Sequence, residues 1–462
     1  MLFCKKPFEQ IYISEAYVKT CPWTNLILGN LLETPIEVLW TNEKAEAIRE
    51  SIKDGSFRFC RKEECPHCAS GMLENMNESE AKAYSAELYP IDINVSYDKF
   101  CNHSCPSCRK GVFIPDELYK AKMKTMKNAV LPIVNKTKRL STCGMGDCFS
   151  SPFMMDFIKE LNPEDPDFCI SFETNGVCLD QKRWEEISNI HKYPINITVT
   201  PNSFDRYAYM YLSGGHDNLE RSNKNLEFIS KLRKTGKISS LKINMVVQES
   251  NYREIPSFIE KCLNEYSPDI IQIKPLNKWF CLNSTDFWFK NVLNPLHPYH
   301  ENYLKVMQHP ILQHPKVWDW TVLNHDRAPK RHPSMYNEKY TDFLMQLMKY
   351  ENRKDVIASK LKEKGISSIA IYGAWKYGEV CLELLHDIPE LEIKYVIDRN
   401  RGDRNQKMCD LDIIGTWQGN RFKDVDAIII SVLSLEKEIE DDLRALHYEG
   451  LILTLPRLLN DC

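Results

Sequence analysis

Short apolar runs alternate with amphipathic stretches along most of this chain. Ile11-Tyr-Ile13 and the run Ile91, Ile93, Val95 place apolar residues at every second position, as a strand with one buried face does. Arg139–Cys143, Cys169–Glu173, Ile195–Thr200, Leu241–Val247 and Ile270–Lys274 are further runs of strand length, with helical patterns between them. This alternation predicts a parallel sheet with crossover helices, its functional residues at the C-terminal ends of the strands. Ahead of it, Ile36 to Ile52 predicts one amphipathic helix on Ile36, Leu39, Trp40, Ala47 and Ile48, stopped by Gly55.

Two stretches of the middle region are unusual. Tyr207, Tyr209 and Tyr211 stand at alternate positions and read as one core-packed face, with a ring-stacking wall for substrate as the alternative. Residues 279 to 325 are rich in Trp, His and Pro, but the His spacing is irregular, so the segment is expected to close the open side of the sheet rather than bind metal. Arg327 to Ser334 is a polar, proline-containing linker, and Tyr340 to Lys364 predicts an amphipathic helix on Phe343, Leu344, Leu347 and Ile357. A second strand-and-helix region follows. Ile369–Tyr372, Val396–Asp398 and Ala427–Ile430 are its strands, the first running into the turn Gly373-Ala-Trp375 and a helix start at Gly378.

At 462 residues the chain is too long for one ordinary core and should divide into two or three domains. The net charge of -4 is small for this size and no basic block occurs, which argues against nucleic acid or an anionic membrane as the main partner. Charges appear at once in Met1-Leu-Phe-Cys-Lys-Lys with no long apolar core behind them. Neither a signal peptide nor a membrane span is indicated, and a cytoplasmic setting is expected. In that setting the seventeen cysteines, many in tight groups, read as metal ligands rather than disulfides.

Two groups stand out. Cys101-Asn-His-Ser-Cys105-Pro-Ser-Cys108 sits just after a predicted strand, and three thiolates there cannot complete a four-ligand site. A fourth bond must come from elsewhere. Cys60, Cys65 and Cys68 form a second triplet, which Cys21 completes when folded back onto it. Four thiolates suit either a fully protein-ligated iron-sulfur cluster or a structural zinc.

The CxxxCxxC spacing of Cys101, Cys105 and Cys108 resembles the signature of the radical S-adenosylmethionine (radical SAM) enzymes. That resemblance implies a [4Fe-4S] cluster on these three cysteines, with SAM on its fourth iron. It further implies reductive cleavage of SAM, hydrogen abstraction from an unactivated carbon by a 5'-deoxyadenosyl radical, and an electron donor such as flavodoxin or ferredoxin. Thr142-Cys-Gly144-Met-Gly146-Asp147-Cys148 resembles the glycine-rich GGE motif of that family, so Gly144, Gly146 and Asp147 are expected at the amino group of SAM. The related motif runs Gly-Ser-Gly-Asp-Pro, so Met145 and Cys148 are departures. Glu173-Thr174-Asn175-Gly176 resembles the family's Thr-Asn-Gly turn, and Thr200 ends the strand where relatives carry a Ser-x-Asp sequence. That acid is missing, and Asp205 cannot be assumed to replace it. Gln248 and Lys274 are further candidate contacts, and Ser107 stands where an aromatic residue often packs on the adenine.

Trp23, Gly29-Asn30, Leu39-Trp40, Ile48-Arg49, Ser51-Ile52, Asp54-Gly55, Phe57 and the closing cysteines resemble a SPASM domain, here ahead of the barrel instead of behind it. This implies an auxiliary [4Fe-4S] cluster on Cys21, Cys60, Cys65 and Cys68, with Cys4 spare. The last hundred residues resemble a Rossmann-like nucleotide-binding fold. Trp375 replaces the middle glycine of its fingerprint, while Asp398 keeps the spacing of a ribose-binding acid.

The fold expected is therefore α/β: a SPASM-like cluster domain over 1–75, a partial (β/α)6 radical SAM barrel over 85–325, a linker and helix over 326–364, and a Rossmann-like domain over 365–462. The function expected is radical oxidation or epimerisation of a carbohydrate or nucleotide-linked small molecule, with Cys143, Cys148 and Cys281 as candidate hydrogen donors. Modification of a ribosomal peptide or protein is the alternative substrate reading. Two rivals of other classes are a pyridine-nucleotide reductase, which Trp375 disfavours, and a non-catalytic zinc-binding scaffold.

Overall fold

The computed structural model describes residues 1–62, 65–69, 73–142, 144–278, 282–321, 338–348, 352–402, 406–418, 421 and 423–460. Its larger sheet is built from the period-two runs. Ile11, Ile93, Leu140, Ile170 and Ile195 lie side by side on successive strands, and Ile13, Val95, Thr142, Phe172, Ile197 and Leu241 form the next such row. All of them are buried. At about 1.5–3 kcal/mol for each fully buried large aliphatic side chain, these rows fix the register, because a slip by one residue would turn them to the other face.

Gln10–Ser14, Asp92–Ser96, Arg139–Thr142, Cys169–Thr174, Ile195–Val199, Ser240–Val247, Ile270–Pro275 and Val317–Asp319 are parallel neighbours in that order, and Tyr17–Lys19 and Gly29–Asn30 extend one edge antiparallel. The six middle strands match the six read from the sequence, and Val317–Asp319 is an addition. In the N-terminal segment Leu2–Phe3 and Glu74–Asn75 pair antiparallel as a small separate sheet, but the segment also joins the larger one. Its strand Gln10–Ser14 pairs along its whole length with Asp92–Ser96, since Ile11 and Ile13 continue the buried rows.

Two helical expectations and the shared face of the three tyrosines need correction. The stretch Ile36 to Ile52 is two helices, Ile36–Trp40 and Glu43–Lys53. Asn42 breaks it: its side chain accepts from the Ala45 N–H and donates to the Leu28 carbonyl, so it caps the second helix. The three tyrosines share no face, because Arg206–Ser213 is an α-helix in which Tyr209 is buried while Tyr207 and Tyr211 are exposed. At 3.6 residues per turn, positions four apart share a side and the one between them lies opposite. The region from Tyr340 to Lys364 holds two helices, Glu338–Met348 and Arg353–Glu363.

The chain divides into two compact units, 1–24, 28–45 and 61–330 in one, and 25–27, 46–60 and 331–462 in the other. The second carries a six-stranded sheet in the order Lys407–Met408, Leu411–Gly415, Glu392–Asp398, Ser368–Tyr372, Ala427–Ile430, Leu451–Leu453. All its pairs are parallel except the first. Alternation divides its core in two: Ile369, Ile371, Ile413 and Ile429 pack with the helices Glu338–Met348, Arg353–Glu363 and Lys376–Leu385, while Ala370, Tyr372, Ile428 and Ile430 pack with Ile439 and Leu443 of Glu436–Ala445. Both units are thus mixed α/β with predominantly parallel sheets, and among the described residues no helix is long and apolar enough to cross a membrane.

Candidate functional site

The cysteine loop leaves the C-terminal end of Asp92–Ser96, and Asp98 anchors it. This buried carboxylate accepts from the Phe100 N–H (2.9 Å) and the Tyr119 hydroxyl (2.6 Å) through one oxygen and from the Ser151 hydroxyl through the other. Tyr119 belongs to the helix Glu117–Asn135, capped by Asp116, and Ser151 caps Pro152–Lys159. Three elements therefore hold the start of the loop. Its far side is tied by the Ser104 N–H, which donates to the Ser213 carbonyl (3.1 Å), and by Gly214, at φ 81°, where a Cβ would strike the Ser104 backbone.

The glycine turn after Arg139–Thr142 presses on the same loop. A Cβ on Gly146 would stand 2.5 Å from the Phe100 carbonyl oxygen and 2.7 Å from that of Asp98, and the Asp147 N–H donates to Phe100 (2.9 Å). This close approach is the physical need for glycine here. Asp147 itself turns inward. Its oxygens accept from Thr174 Oγ1 (2.7 Å) and the Asn175 N–H (2.8 Å), and from the N–H groups of Phe149 (3.2 Å) and Ser150 (2.9 Å). Four donors fill the acceptor sites of one carboxylate. Asp147 is thus the keystone joining the glycine turn to Thr174 and Asn175, where the sequence suggested an acceptor for an ammonium.

Between these elements lies a cavity of about 200 Å³, lined by Cys101, Cys105, Gly144, Gly146, Asp147, Glu173, Thr174, Asn175, Thr200, Asn202 and Tyr209 with their neighbours. Eight of the residues singled out in the sequence meet there: Cys101, Cys105, Gly144, Gly146, Asp147, Thr174, Asn175 and Thr200. Cys108 follows on the same loop with its side chain exposed. Gln248 and Lys274 do not line the cavity; Gln248 is buried, its N–H bonded to Asn251, and Lys274 lies over the Trp320 ring. Asp205 caps the helix Arg206–Ser213. Cys148 is buried, with its thiol 3.5 Å from the Glu173 carbonyl, and Cys143 and Cys281 lie outside the described residues.

The electrostatics mark the cysteine loop as a place for something other than free thiols. Burial pushes Cys101 up to about 12, aided by the Asp147 charge, and Cys105 also up to about 12. Unmetallated, both are protonated and inert. Yet the surroundings offer donors to sulfur: the His103 N–H lies 3.4 Å from Cys101 Sγ and the Asn175 side-chain amide 3.7 Å from it. Among the described residues Asn102 Nδ2 is buried without a hydrogen-bond partner, while Asn102 Oδ1 accepts from Asn175 (2.8 Å). His103 is held down to about 4 by burial, with His216 and Arg109 adding to it. Among the described residues no three His, Cys, Asp or Glu side chains converge as ligands of one ion. Thiolates on separate irons of a four-iron cluster need a common loop instead of a common point, and this loop with its sulfur-directed donors fits such a group.

Sequence reasoning missed Asp98, Arg109 and Glu173. Asp98 and Arg109 carry no motif signal on their own. Glu173 had one, as an acid at a strand end, and its exposed carboxylate borders the cavity.

Of the N-terminal thiols, Cys21 is buried and pushed up to about 12, while a hydrogen bond from Cys68 holds Cys65 below the ordinary thiol value. Cys4 lies within electrostatic reach of both Cys21 and Cys65, and burial with the Lys6 charge lowers His67. Cys60 falls in the second unit. There, Gly373 and Gly378 serve packing: Gly373 has φ 116°, and a Cβ on Gly378 would strike the Gly373 carbonyl. Asp398 accepts from the Ala374, Asn400 and Arg401 N–H groups, and Trp375 is exposed with the Arg401 guanidinium over its ring.

No protein-family description matches the chain, and no curated protein is similar to it. Among solved structures it is similar to the crystal structure of Streptococcus suis SuiB bound to S-adenosylmethionine, at 15% identity and a TM-score of 0.30. That likeness covers 57% of this chain and 59% of the other, so the chain spans about three fifths of the length of the solved protein it matches.

Proposed function

We propose that this chain is a radical SAM enzyme that acts on a carbohydrate or nucleotide-linked small molecule by oxidation or epimerisation. One observation carries the reading: Cys101, Cys105 and Cys108 sit on the loop leaving Asp92–Ser96, over a cavity walled by the glycine turn and the ends of the next strands. Cys101, Cys105 and Cys108 hold a [4Fe-4S] cluster, and the cavity holds S-adenosylmethionine. When bound, this pair supplies one-electron chemistry at an unactivated carbon.

The chain's own residues bind, orient and shield. The Asn175 amide and the His103 N–H steady Cys101 sulfur as a thiolate. With Asp147 saturated, Glu173 takes the cofactor's ammonium, and Thr200 and Asn202 line the wall beyond it. Tyr209 and Leu212 exclude water from one side. Cys21, Cys65 and Cys68 hold an auxiliary cluster that passes electrons, and residues 365–462 form a Rossmann-like domain. Its parallel order Leu411–Gly415, Glu392–Asp398, Ser368–Tyr372, Ala427–Ile430, Leu451–Leu453 follows the 3-2-1-4-5 pattern of such folds, and this supports the nucleotide-linked substrate.

The test is anaerobic purification with iron, sulfide and zinc analysis, electron paramagnetic resonance with and without SAM, and detection of 5'-deoxyadenosine. The reading expects about eight irons per chain, as two four-iron clusters require, and one signal that SAM shifts. Glu173→Gln should weaken SAM binding roughly 10- to 100-fold, the value of a hydrogen bond to a charged group. Zinc without iron would replace this reading with that of a scaffold.

A further inference from the structure

Arg109 directly follows the third cysteine of the loop, and its guanidinium is fixed in place. One nitrogen donates to the Lys99 carbonyl (2.8 Å), the other to the Met145 carbonyl in the glycine turn, and the second also lies 3.9 Å from Cys108 Sγ. Its own N–H and that of Cys108 both donate to the Cys105 carbonyl (2.9 Å each), so the backbone turn that carries the side chain is closed as well. Lys99 lies at the entry of the loop, Met145 lies between Gly144 and Gly146, and Cys108 is at the exit. One fork therefore joins both ends of the cysteine loop to the turn beneath it.

We propose that Arg109 is a positioning residue that sets the reduction potential of the cluster on Cys101, Cys105 and Cys108, through a positive charge locked beside the Cys108 sulfur. This rests on the cluster reading above. The physical step is simple. Reduction adds one electron, and so one negative charge, to the group that the loop holds. A cation beside it stabilises the reduced form more than the oxidised one. The Arg109 guanidinium lies 3.9 Å from Cys108 Sγ on the same loop, and the nearby carboxylate of Asp147 is already spent on four internal donors. Arginine suits the place because its two nitrogens diverge to two carbonyls while the charge stays put, which a lysine ammonium matches in charge only.

The experiment is potentiometric titration of the cluster's electron paramagnetic resonance signal in the anaerobic full-length protein, for wild type, Arg109→Gln and Arg109→Lys, each with iron and sulfide analysis. Arg109→Gln is expected to keep its iron and to be about tenfold harder to reduce at a fixed poise, a shift of about 59 mV downward for a one-electron couple. Arg109→Lys is expected to stay at the wild-type potential. An unchanged potential in the iron-loaded Gln variant would overturn the proposal, and so would a Lys variant that falls as far as the Gln variant. If Arg109→Gln cannot hold iron, the Lys variant decides: the wild-type potential supports the proposal and a fall overturns it. Wild-type protein without an iron-sulfur signal would instead remove the reading on which this rests.

Discussion

Replacing Asp147 with alanine separates a structural keystone from a cofactor ligand, because its effect should be large in protein that holds neither metal nor SAM. The carboxylate serves three backbone N–H groups, those of Phe149, Ser150 and Asn175, and the Thr174 hydroxyl. The hydroxyl can rotate to another acceptor, but the amides cannot. A buried donor left without a partner costs about 1–3 kcal/mol. Asn175 borders the cavity, where water can reach it, so its share is near the low end. The sum for the three amides is about 4 kcal/mol. That is close to a thousandfold in a local opening constant, at about 1.4 kcal/mol per tenfold. Asp147→Asn keeps one oxygen for Phe149 and Ser150 but turns an NH2 toward the Asn175 N–H, and should cost about half as much. Amide hydrogen exchange on metal-free protein reads this at positions 149, 150 and 175. Protection in Asp147→Ala within threefold of wild type would refute the reasoning.

Three further outcomes follow from the geometry. His103, held to about 4 in the folded chain against an ordinary 6.5, is neutral inside; unfolded chains take up the proton first, so its contribution is present above pH 6.5 and is lost as pH falls toward 4. Thermal melts at pH 7 and pH 4.5 should show wild type losing roughly 2 kcal/mol more than His103→Gln, and parallel losses would contradict the burial. Gly146→Ala drives a Cβ into two backbone carbonyls of the cysteine loop. It should cut the iron bound at that loop by more than half while circular dichroism stays unchanged, and full iron loading would count against the close approach. Gly378→Ala puts a Cβ against the Gly373 carbonyl and should destabilise the second unit by about 1–3 kcal/mol; an unchanged melting temperature would rule that packing out.

What the sequence disclosed follows from how local each signal is. Period-two burial needs only near neighbours, so the six middle strands and Gln10–Ser14 could be read directly. Lys407–Met408, Leu411–Gly415 and Leu451–Leu453 could not, since none of these short strands sustains an alternation of apolar and polar positions. The glycines announced a close approach at Gly144 and Gly146, but not against what. Asp147 shows the limit most clearly: an acid after two glycines signals an open acceptor, and only the fold reveals that Thr174 and Asn175, from the next strand end, have taken its lone pairs. Asp98 and Arg109 act by joining loops far apart in the chain, which no spacing encodes. The break at Asn42 depends on the Leu28 carbonyl, fourteen residues back.

The pairing of Gln10–Ser14 with Asp92–Ser96 also bears on how the protein can be cut. Residues 15 to 91 are the excursion between two adjacent strands of one sheet, and the thiols Cys21, Cys65 and Cys68 ride on it. A truncation that removes the first ninety residues would not release a free-standing sheet. It would bare the row of N–H and C=O groups along Asp92–Ser96, an apolar edge ready to pair with another copy. Such a fragment should aggregate, so the N-terminal region doubles as the cover of a sheet edge.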